Sequence, residues 1–362
     1  MVMLKNLRTQ IDRLDDEILS LLNERMRLVQ SIGELKNKQN STIYRPERER
    51  AILSRLEELS RTQKGRLERE AIEAIYGEIF AVSRNLEKAQ GVAYLGPEGS
   101  YTHQAAHLRF GALSSYLALA GIEDVFKALR NKQAKFGIVP VENNTAGAVG
   151  LTLDCLAKYE EIKIFGEIYM DIHHSFVSLN DDIKGIRRIY SHPQGYHQCR
   201  LFLESHHLDG VEFIASKSTA NAAFLASKDR DGAAICSKIA AKLYKVPLLY
   251  ERIEDNAANR TRFLILSDEN FALCEGCKTS IFVHTRDEAG ALADLLLVFK
   301  KAQINLTKLE SRPVKNPSGT EFSHSFYMDF EGHIEEERVR GALEEVRAHK
   351  LLWLGSYLAE RG

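Results

Sequence analysis

The stretch IVPVENNTAG, Ile138 to Gly147, begins as an apolar strand, stops at Pro140 and passes at once to a carboxyl, two amides and a hydroxyl. Open α/β sheets bind ligands beyond the carboxyl ends of their strands, which makes Glu142 and Asn143 site candidates. The plainer reading is an Asx-rich turn. Three further polar segments at strand ends or helix starts favour the site, and the chain around this region reads as an α/β module with two modules appended.

Outward from that centre, 362 residues are too many for one core and suggest about two or three domains. Apolar content of 44% and charged content of 27% are ordinary for a soluble globular protein. The net charge of -1 offers no general field for nucleic acid or an acidic membrane, so any anionic ligand falls to local arginines. The first residues, MVMLKNLRTQ, lack a secretory apolar core, and no run approaches a membrane span, which implies a cytoplasmic protein. Five cysteines fit a reducing compartment better than a disulfide framework. The lone pair Cys274 and Cys277 cannot complete a zinc site and reads as part of a polar connection between domains.

Before Gly33 there is neither Gly nor Pro, and Leu7, Ile11, Leu14, Ile18, Leu21, Leu28, Ile32 and Leu35 recur at alternating spacings of four and three. This is a long amphipathic helix with a coiled-coil-like seam. At about 45–50 Å it is too long to bury the seam within a module of some 90 residues, so an intertwined dimer is expected. Arg25 occupies the seam position missing from the alternation, where a charge is costly without a partner or ligand. Lys36 leaves the same face about 16 Å away, so two long cationic arms can converge on a small dianion. A second helix begins near Pro46, with Arg48 and Glu49 in its first turns, and a third runs from about Leu67 to Ala89. Ser83 and Glu87 share a face of the third helix.

LR, ER, LK, RERE and SRNLE, over about residues 4 to 89, resemble the all-helical, dimeric chorismate mutases of the AroQ type. The resemblance implies that Arg8, from the other subunit, and Arg25 bind the two substrate carboxylates. It further implies that Lys36 and Glu87 bond the ether oxygen, while Arg48, Glu49 and Ser83 complete the pocket. Arg45 stands where the family often has aspartate, and Glu87 where some members have glutamine. A glutamate must carry a proton to donate to an ether oxygen, so mutase activity is expected to fall as pH rises past neutrality.

From Gly91 the pattern changes to GVAYL, FGIVPV, IKIFGEIY, IRRIYS, VEFIA, GAAIC and RFLILS separated by helical segments, which predicts a mostly parallel sheet split into two lobes. Ser100 and the Ser218-Thr219 pair open helices, whose free amide donors suit a carboxylate and equally suit plain capping. Ser191 ends a strand, Gln198 lies one turn into the next helix, and Asn259, Thr261 and Arg262 sit at the start of another strand. GPEGSYTHQAA, FGIVPVENNTAG, YSHPQGYHQC, KSTANAA and NRTRF, over about residues 92 to 268, together resemble prephenate dehydratase. That family implies a two-lobed fold similar to type 2 periplasmic binding proteins, with the site between lobes. By motif, Thr261 is then the principal catalytic group and Arg262 a substrate-anchoring cation, with Glu142, Asn143, Ser191 and Gln198 lining the site.

From Thr279 the βαββαβ order is the ferredoxin-like arrangement. It resembles the ACT domain, and AGAL with ESRP resembles the version found with prephenate dehydratases. The resemblance implies L-phenylalanine binding by Gly290, Ala291, Leu292, Asn305, Glu310, Ser311, Arg312 and Pro313. The expected architecture is an all-α mutase module over 1–90, an α/β dehydratase module over 91–270 and an α+β regulatory module over 278–362. Together the three resemblances imply a homodimeric, bifunctional enzyme that acts on chorismate and prephenate with neither cofactor nor metal. A non-catalytic aromatic-precursor sensor and an arogenate-preferring dehydratase are the competing classes.

Overall fold

A computed structural model describes residues 2–38, 45–87, 91–285, 288–315, 322–346 and 350–360. The chain divides into two compact units, Met1–Gln90 with Arg109–Ser115, and Gly91–Leu108 with Tyr116–Gly362. No helix among the described residues is long and apolar enough to cross a membrane.

In the first unit, α1 (Val2–Lys38), α2 (Pro46–Thr62) and α3 (Arg69–Glu87) are all helical. Pro46 suits the first turn of α2, where no intrahelical donor is needed. α3 packs on the C-terminal half of α1, where Val29, Ile72 and Phe80 are buried. Gly33 permits this approach, since a Cβ there would lie 3.1 Å from the Glu87 Cα. The 37-residue α1 is about 55 Å long, slightly more than expected. Its seam residues Leu7, Ile11, Leu14, Ile18, Leu21, Leu28, Ile32 and Leu35 are all exposed, by 47–65%.

The second unit begins β1 (Gly91–Leu95), α4 (Tyr101–Phe110), β2 (Ser115–Leu119), α5 (Ile122–Arg130), β3 (Phe136–Asn143), β4 (Gly147–Ala148), α6 (Gly150–Lys158) and β5 (Lys163–Asp171). It continues β6 (Ser175–Ser178), β7 (Arg188–Ser191), α7 (Pro193–His197), α8 (Arg200–Ser205), β8 (Glu212–Ala215), α9 (Thr219–Ala226), β9 (Gly232–Cys236), α10 (Lys238–Leu243), β10 (Leu248–Glu251) and β11 (Arg260–Ser267). One sheet runs β2-β1-β3-β11-β5 with β4 on β3, and a second runs β10-β6-β9-β7-β8.

Two sheets meet the expectation of two lobes, but neither is mostly parallel. β1–β3, β7–β8 and β7–β9 are parallel, whereas β11 is antiparallel to both β3 and β5, and β6 to both β9 and β10. The chain crosses to the second sheet after β5 and returns through β11, which enters the first sheet from the opposite end. β2, β4, β6 and β10 were not expected from the sequence.

The C-terminal part adds β12 (Cys277–His284), α11 (Ala291–Lys301), β13 (Leu306–Lys315), β14 (Phe322–Glu331), α12 (Glu337–Val346) and β15 (Lys350–Leu358). Its antiparallel sheet, β13-β14-β12-β15, closes over a core that includes Ile281, Val283, Leu295, Phe299, Met328, Phe330, Val339 and Leu343. The βαββαβ expectation therefore holds element by element. This part falls in the same compact unit as the two α/β sheets, because β15 packs directly on β5. Gly355 makes that possible, since a Cβ there would meet the Ile164 carbonyl oxygen at 2.2 Å. Cys274 and Cys277 are bonded to each other, with Gly276 at φ +73° turning the chain between them. From the sequence the pair reads as part of a polar connection between domains, with no disulfide expected there.

Candidate active sites

The two arms foreseen on α1 converge on the face foreseen on α3. Arg25 Nη1 donates to Ser83 Oγ at 2.5 Å, and Lys36 Nζ to Glu87 Oε2 at 2.8 Å. Lys36 and Glu87 are 19% and 11% exposed in their side chains, so the pair is largely withdrawn from water yet reachable. The Arg25 guanidinium also lies 5.9 Å from the Phe80 ring centroid. Glu49 does not face them alone, because Arg84, a residue the sequence reading passed over, is ion-paired with it. The Arg45 carbonyl accepts the Arg48 and Glu49 amides at the start of α2, while the side chains of Arg8, Arg45 and Arg48 are exposed. Two cations and two hydrogen-bonding groups thus line one face of a helix pair.

In the second unit the residues divide by strand alternation. Asn143 opposes Thr261 across β3 and β11, and Glu142 opposes Arg262. Successive side chains leave opposite faces of a strand, so these two rungs point in opposite directions. On one face Asn143 Nδ2 lies 2.8 Å from both Thr261 Oγ1 and Asn259 Oδ1. Asn143 Oδ1 meanwhile receives the Thr145 and Ala146 amides, so the Asx turn and the site are built by the same residue. Thr261 is 8% exposed, and its own hydroxyl proton has no acceptor among the described residues.

On the other face, Arg262 is 2% exposed and fully engaged. It donates to Glu167 at 2.8 Å, Asp329 at 2.6 Å, Glu142 at 3.1 Å and the Tyr357 hydroxyl at 2.9 Å. Lys278 bonds the same Glu167 at 2.9 Å, and Lys308 bonds Glu142. The structure thus places Arg262 and Glu142, expected from the sequence to line one site with Thr261, on the face opposite it. Both side chains face the C-terminal sheet, and Arg262 already meets three carboxylates.

A second polar group surrounds Gly195. A Cβ there would lie 3.2 Å from Ser191 Oγ, 3.6 Å from His174 Cε1 and 3.8 Å from Thr219 Cγ2, so these three side chains converge. His174 Nε2 is 2.9 Å from Gln198 Oε1, and its Nδ1 is 2.7 Å from the Tyr101 hydroxyl. Since Oε1 only accepts, Nε2 carries the proton and Nδ1 accepts from Tyr101. Burial lowers the His174 pKa and raises that of Tyr101, which keeps both neutral. Ser218 caps α9 by accepting the Asn221 amide at 3.0 Å. Ser191 Oγ donates to the His192 carbonyl at 2.9 Å.

The chain crosses between the two sheets twice, at 172–174 and at 252–259, and the crossings are bonded together. Ile172 N–H donates to the Asn259 carbonyl at 2.8 Å, Ile253 N–H to that of His174 at 3.1 Å. Glu254 receives both His173 Nδ1 at 2.6 Å and the His174 amide at 2.8 Å. His174, Tyr101 and Glu254 were missed in the sequence. Their signal was slight, a His-His at a strand start and a Tyr opening a helix, because their roles depend on partners 24 to 80 residues distant.

At the C-terminal sheet, Gly290 takes φ +91° at the start of α11, a conformation that favours glycine. Ala291 is buried and Leu292 half-buried behind it. Asn305 is exposed and donates to Glu331 at 3.1 Å. Glu310, Ser311, Arg312 and Pro313 lie along β13, where Arg312 reaches Asp154 of α6 at 2.8 Å. No group of three or more candidate metal ligands occurs among the described residues.

Comparison with known proteins gives two family profiles, chorismate mutase type II over residues 7–88 and prephenate dehydratase over 92–271. The bifunctional chorismate mutase/prephenate dehydratase of Aquifex aeolicus is 43% identical over 357 residues, covering 98% of this chain and 97% of its own. Among solved structures, the prephenate dehydratase of Arthrobacter aurescens in complex with L-Phe has a TM-score of 0.66 at 30% identity, covering 74% of this chain and 90% of that one. A protein described as a novel type of quorum-quenching acylase also reaches a TM-score of 0.66, at 26% identity, covering 75% of this chain and 98% of its own. One fold can host different chemistries, so the sites must carry the functional argument.

Proposed function

This chain belongs to the bifunctional chorismate mutase/prephenate dehydratase family, and from its geometry we propose how the two reactions are divided and controlled. The rearrangement of chorismate to prephenate is pericyclic and requires no covalent catalyst, so confinement of the reactive conformer and stabilisation of charge on the ether oxygen must lower its barrier. Arg25 and the Lys36–Glu87 pair supply that on one helix face. Ser83 fixes the Arg25 guanidinium, and Arg8 of a second copy completes the carboxylate contacts. The exposed seam of α1 supports this dimer: eight apolar side chains in register over about 42 Å are an unfavourable surface for a lone helix. Arg48, Glu49 and Arg45 border the same pocket.

Prephenate loses its ring hydroxyl and ring carboxylate together. With one proton taken up by the departing hydroxyl, the products are water, carbon dioxide and the aromatic phenylpyruvate. Aromatisation supplies the driving force, so the enzyme chiefly has to deliver that proton and orient the substrate. Thr261 is the donor in this reading. The observation that carries it is the Asn143 amide donating into Thr261 Oγ1 at 2.8 Å, which fixes the rotamer and leaves the hydroxyl proton free to leave. The neutral Ser191, His174 and Gln198 group, with the amides that open α9 at Ser218 and Thr219, orients the substrate's polar ends. The C-terminal βαββαβ module is assigned as an ACT domain that binds L-phenylalanine through Gly290–Leu292, Asn305 and Glu310–Pro313, giving end-product inhibition. The solved relative that carries L-Phe supports that assignment.

The decisive experiment is a time course on purified protein given chorismate alone, following chorismate, prephenate and phenylpyruvate with and without phenylalanine. Phenylpyruvate should accumulate, and phenylalanine should suppress it. Accumulated prephenate would leave the central module a binder, and equal rates with millimolar phenylalanine would remove the regulatory assignment.

A further inference from the structure

The cluster around Arg262 brings two residues of the C-terminal sheet to a place that the chemistry above leaves unassigned. Lys308, on β13, bonds Glu142. Asp329, on β14, accepts from Arg262 at 2.6 Å and is itself fixed by Ser280 Oγ at 2.6 Å. Glu142 and Arg262 are the immediate chain neighbours of Asn143 and Thr261, and the two pairs are consecutive rungs of the β3–β11 ladder. That ladder loses its regular register between Arg262 and Phe263. The β3–β11 pairing is locally disrupted at such a point, although β11 stays in regular register with β5 there. Side chains from another sheet add a second hold on these two rungs.

We propose that Lys308 and Asp329 are positioning residues of the dehydratase reaction. By clamping Glu142 and Arg262 from the C-terminal sheet, they set the approach of Asn143 to Thr261 on the opposite face. The inference rests on Thr261 as the dehydratase group. It explains why a carboxylate and an arginine beside the reacting groups face away from them, and it makes the C-terminal sheet part of the dehydratase site. Arg312 pins the same β13 to α6 through Asp154, so the strand that carries Lys308 is anchored at two points on the dehydratase module.

The test uses the full-length protein and prephenate. Lys308→Met should lower dehydratase kcat about tenfold, since misplacement by a fraction of an ångström to an ångström has effects of this order or larger, while KM stays within about threefold. The mutase rate of the same preparation should be unchanged, and Lys308→Arg should recover most of the loss. Asp329→Asn is the second variant, with the fluorescence of Trp353 in β15 reporting that the C-terminal sheet is folded. Wild-type kcat in both folded variants overturns the clamp, and so does a KM increase at unchanged kcat, the result expected of a direct substrate contact. Thr261→Val is measured alongside. If that variant keeps full turnover, the assignment of Thr261 fails; if it is inactive while both clamp variants are normal, only the clamp fails.

Discussion

Replacing Arg262 by methionine removes the charge while keeping most of the side chain's length. The side chains of Glu167 and Asp329 are 0% exposed, so neither carboxylate gains water when its partner goes. Glu167 keeps Lys278 at 2.9 Å. Among the described residues Asp329 keeps no direct cation and only hydroxyl donors such as Ser280. Removing one partner of a buried ion pair costs about 3–5 kcal/mol, and the lower end applies here because Lys278 still compensates half of the cluster. In the native protein, burial raises the Asp329 pKa, but Arg262 and Lys278 outweigh it and hold it below the ordinary value. That contribution is complete above the unfolded carboxylate pKa and is lost as pH falls through the folded one. Without Arg262 burial dominates, the folded pKa rises above the unfolded one, and stability then falls as pH increases past about 4. The gap between wild type and Arg262→Met should therefore widen as pH rises above about 4. Urea unfolding followed by Trp353, the single tryptophan of the chain, reads this directly. Trp353 lies on β15 at the contact with β5, where its carbonyl accepts from Lys163 at 2.7 Å. A loss below about 1 kcal/mol that does not change with pH would refute the argument. A KM increase in the same variant would return Arg262 to the role of substrate anchor.

Glu87→Gln keeps a donor toward the ether oxygen without requiring a proton, so it should flatten the decline of mutase activity above neutral pH; a profile identical to wild type would count against Glu87 as donor. Gly99 N–H donates to His103 Nδ1 at 3.0 Å, and burial together with His107 lowers the His103 pKa to about 4. Because the folded pKa lies below the unfolded one, protonation favours unfolding. Stability should be level above about pH 6.5 and fall by up to about 3 kcal/mol as pH drops toward 4, and His103→Gln should lose that slope in urea titrations. The double substitution Leu14→Glu and Ile18→Glu charges the exposed seam of α1, so on the proposed dimer sedimentation should show dissociation and kinetics a mutase rate reduced at least tenfold, because the proposal has Arg8 serve the second copy's site. An unchanged sedimentation coefficient with full activity would exclude the seam as the interface.

The sequence by itself determined the order of helical and α/β elements and which polar groups share a helix face or stand at strand ends, because each rests on local signals. The seven-residue rhythm of α1 reports a helix face, and the i,i+4 pair Ser83 and Glu87 reports a shared side of α3. Polar residues at strand ends point to a site because a strand has few other places to present them. Alternation along β11 was also present in the sequence, and it already implied that Thr261 and Arg262 face opposite ways. What it could not supply was the surroundings of the second face. Glu167, Lys278, Lys308 and Asp329 lie 67 to 166 residues from their partners in the cluster, and no periodicity links positions so far apart. Only the tertiary structure decided that Arg262 meets carboxylates instead of open space, that β11 returns antiparallel, and that the C-terminal sheet joins the dehydratase module as one unit. These outcomes depend on which faces are buried against each other, and burial sets whether a charge must be neutralised within the protein or is left available to a ligand.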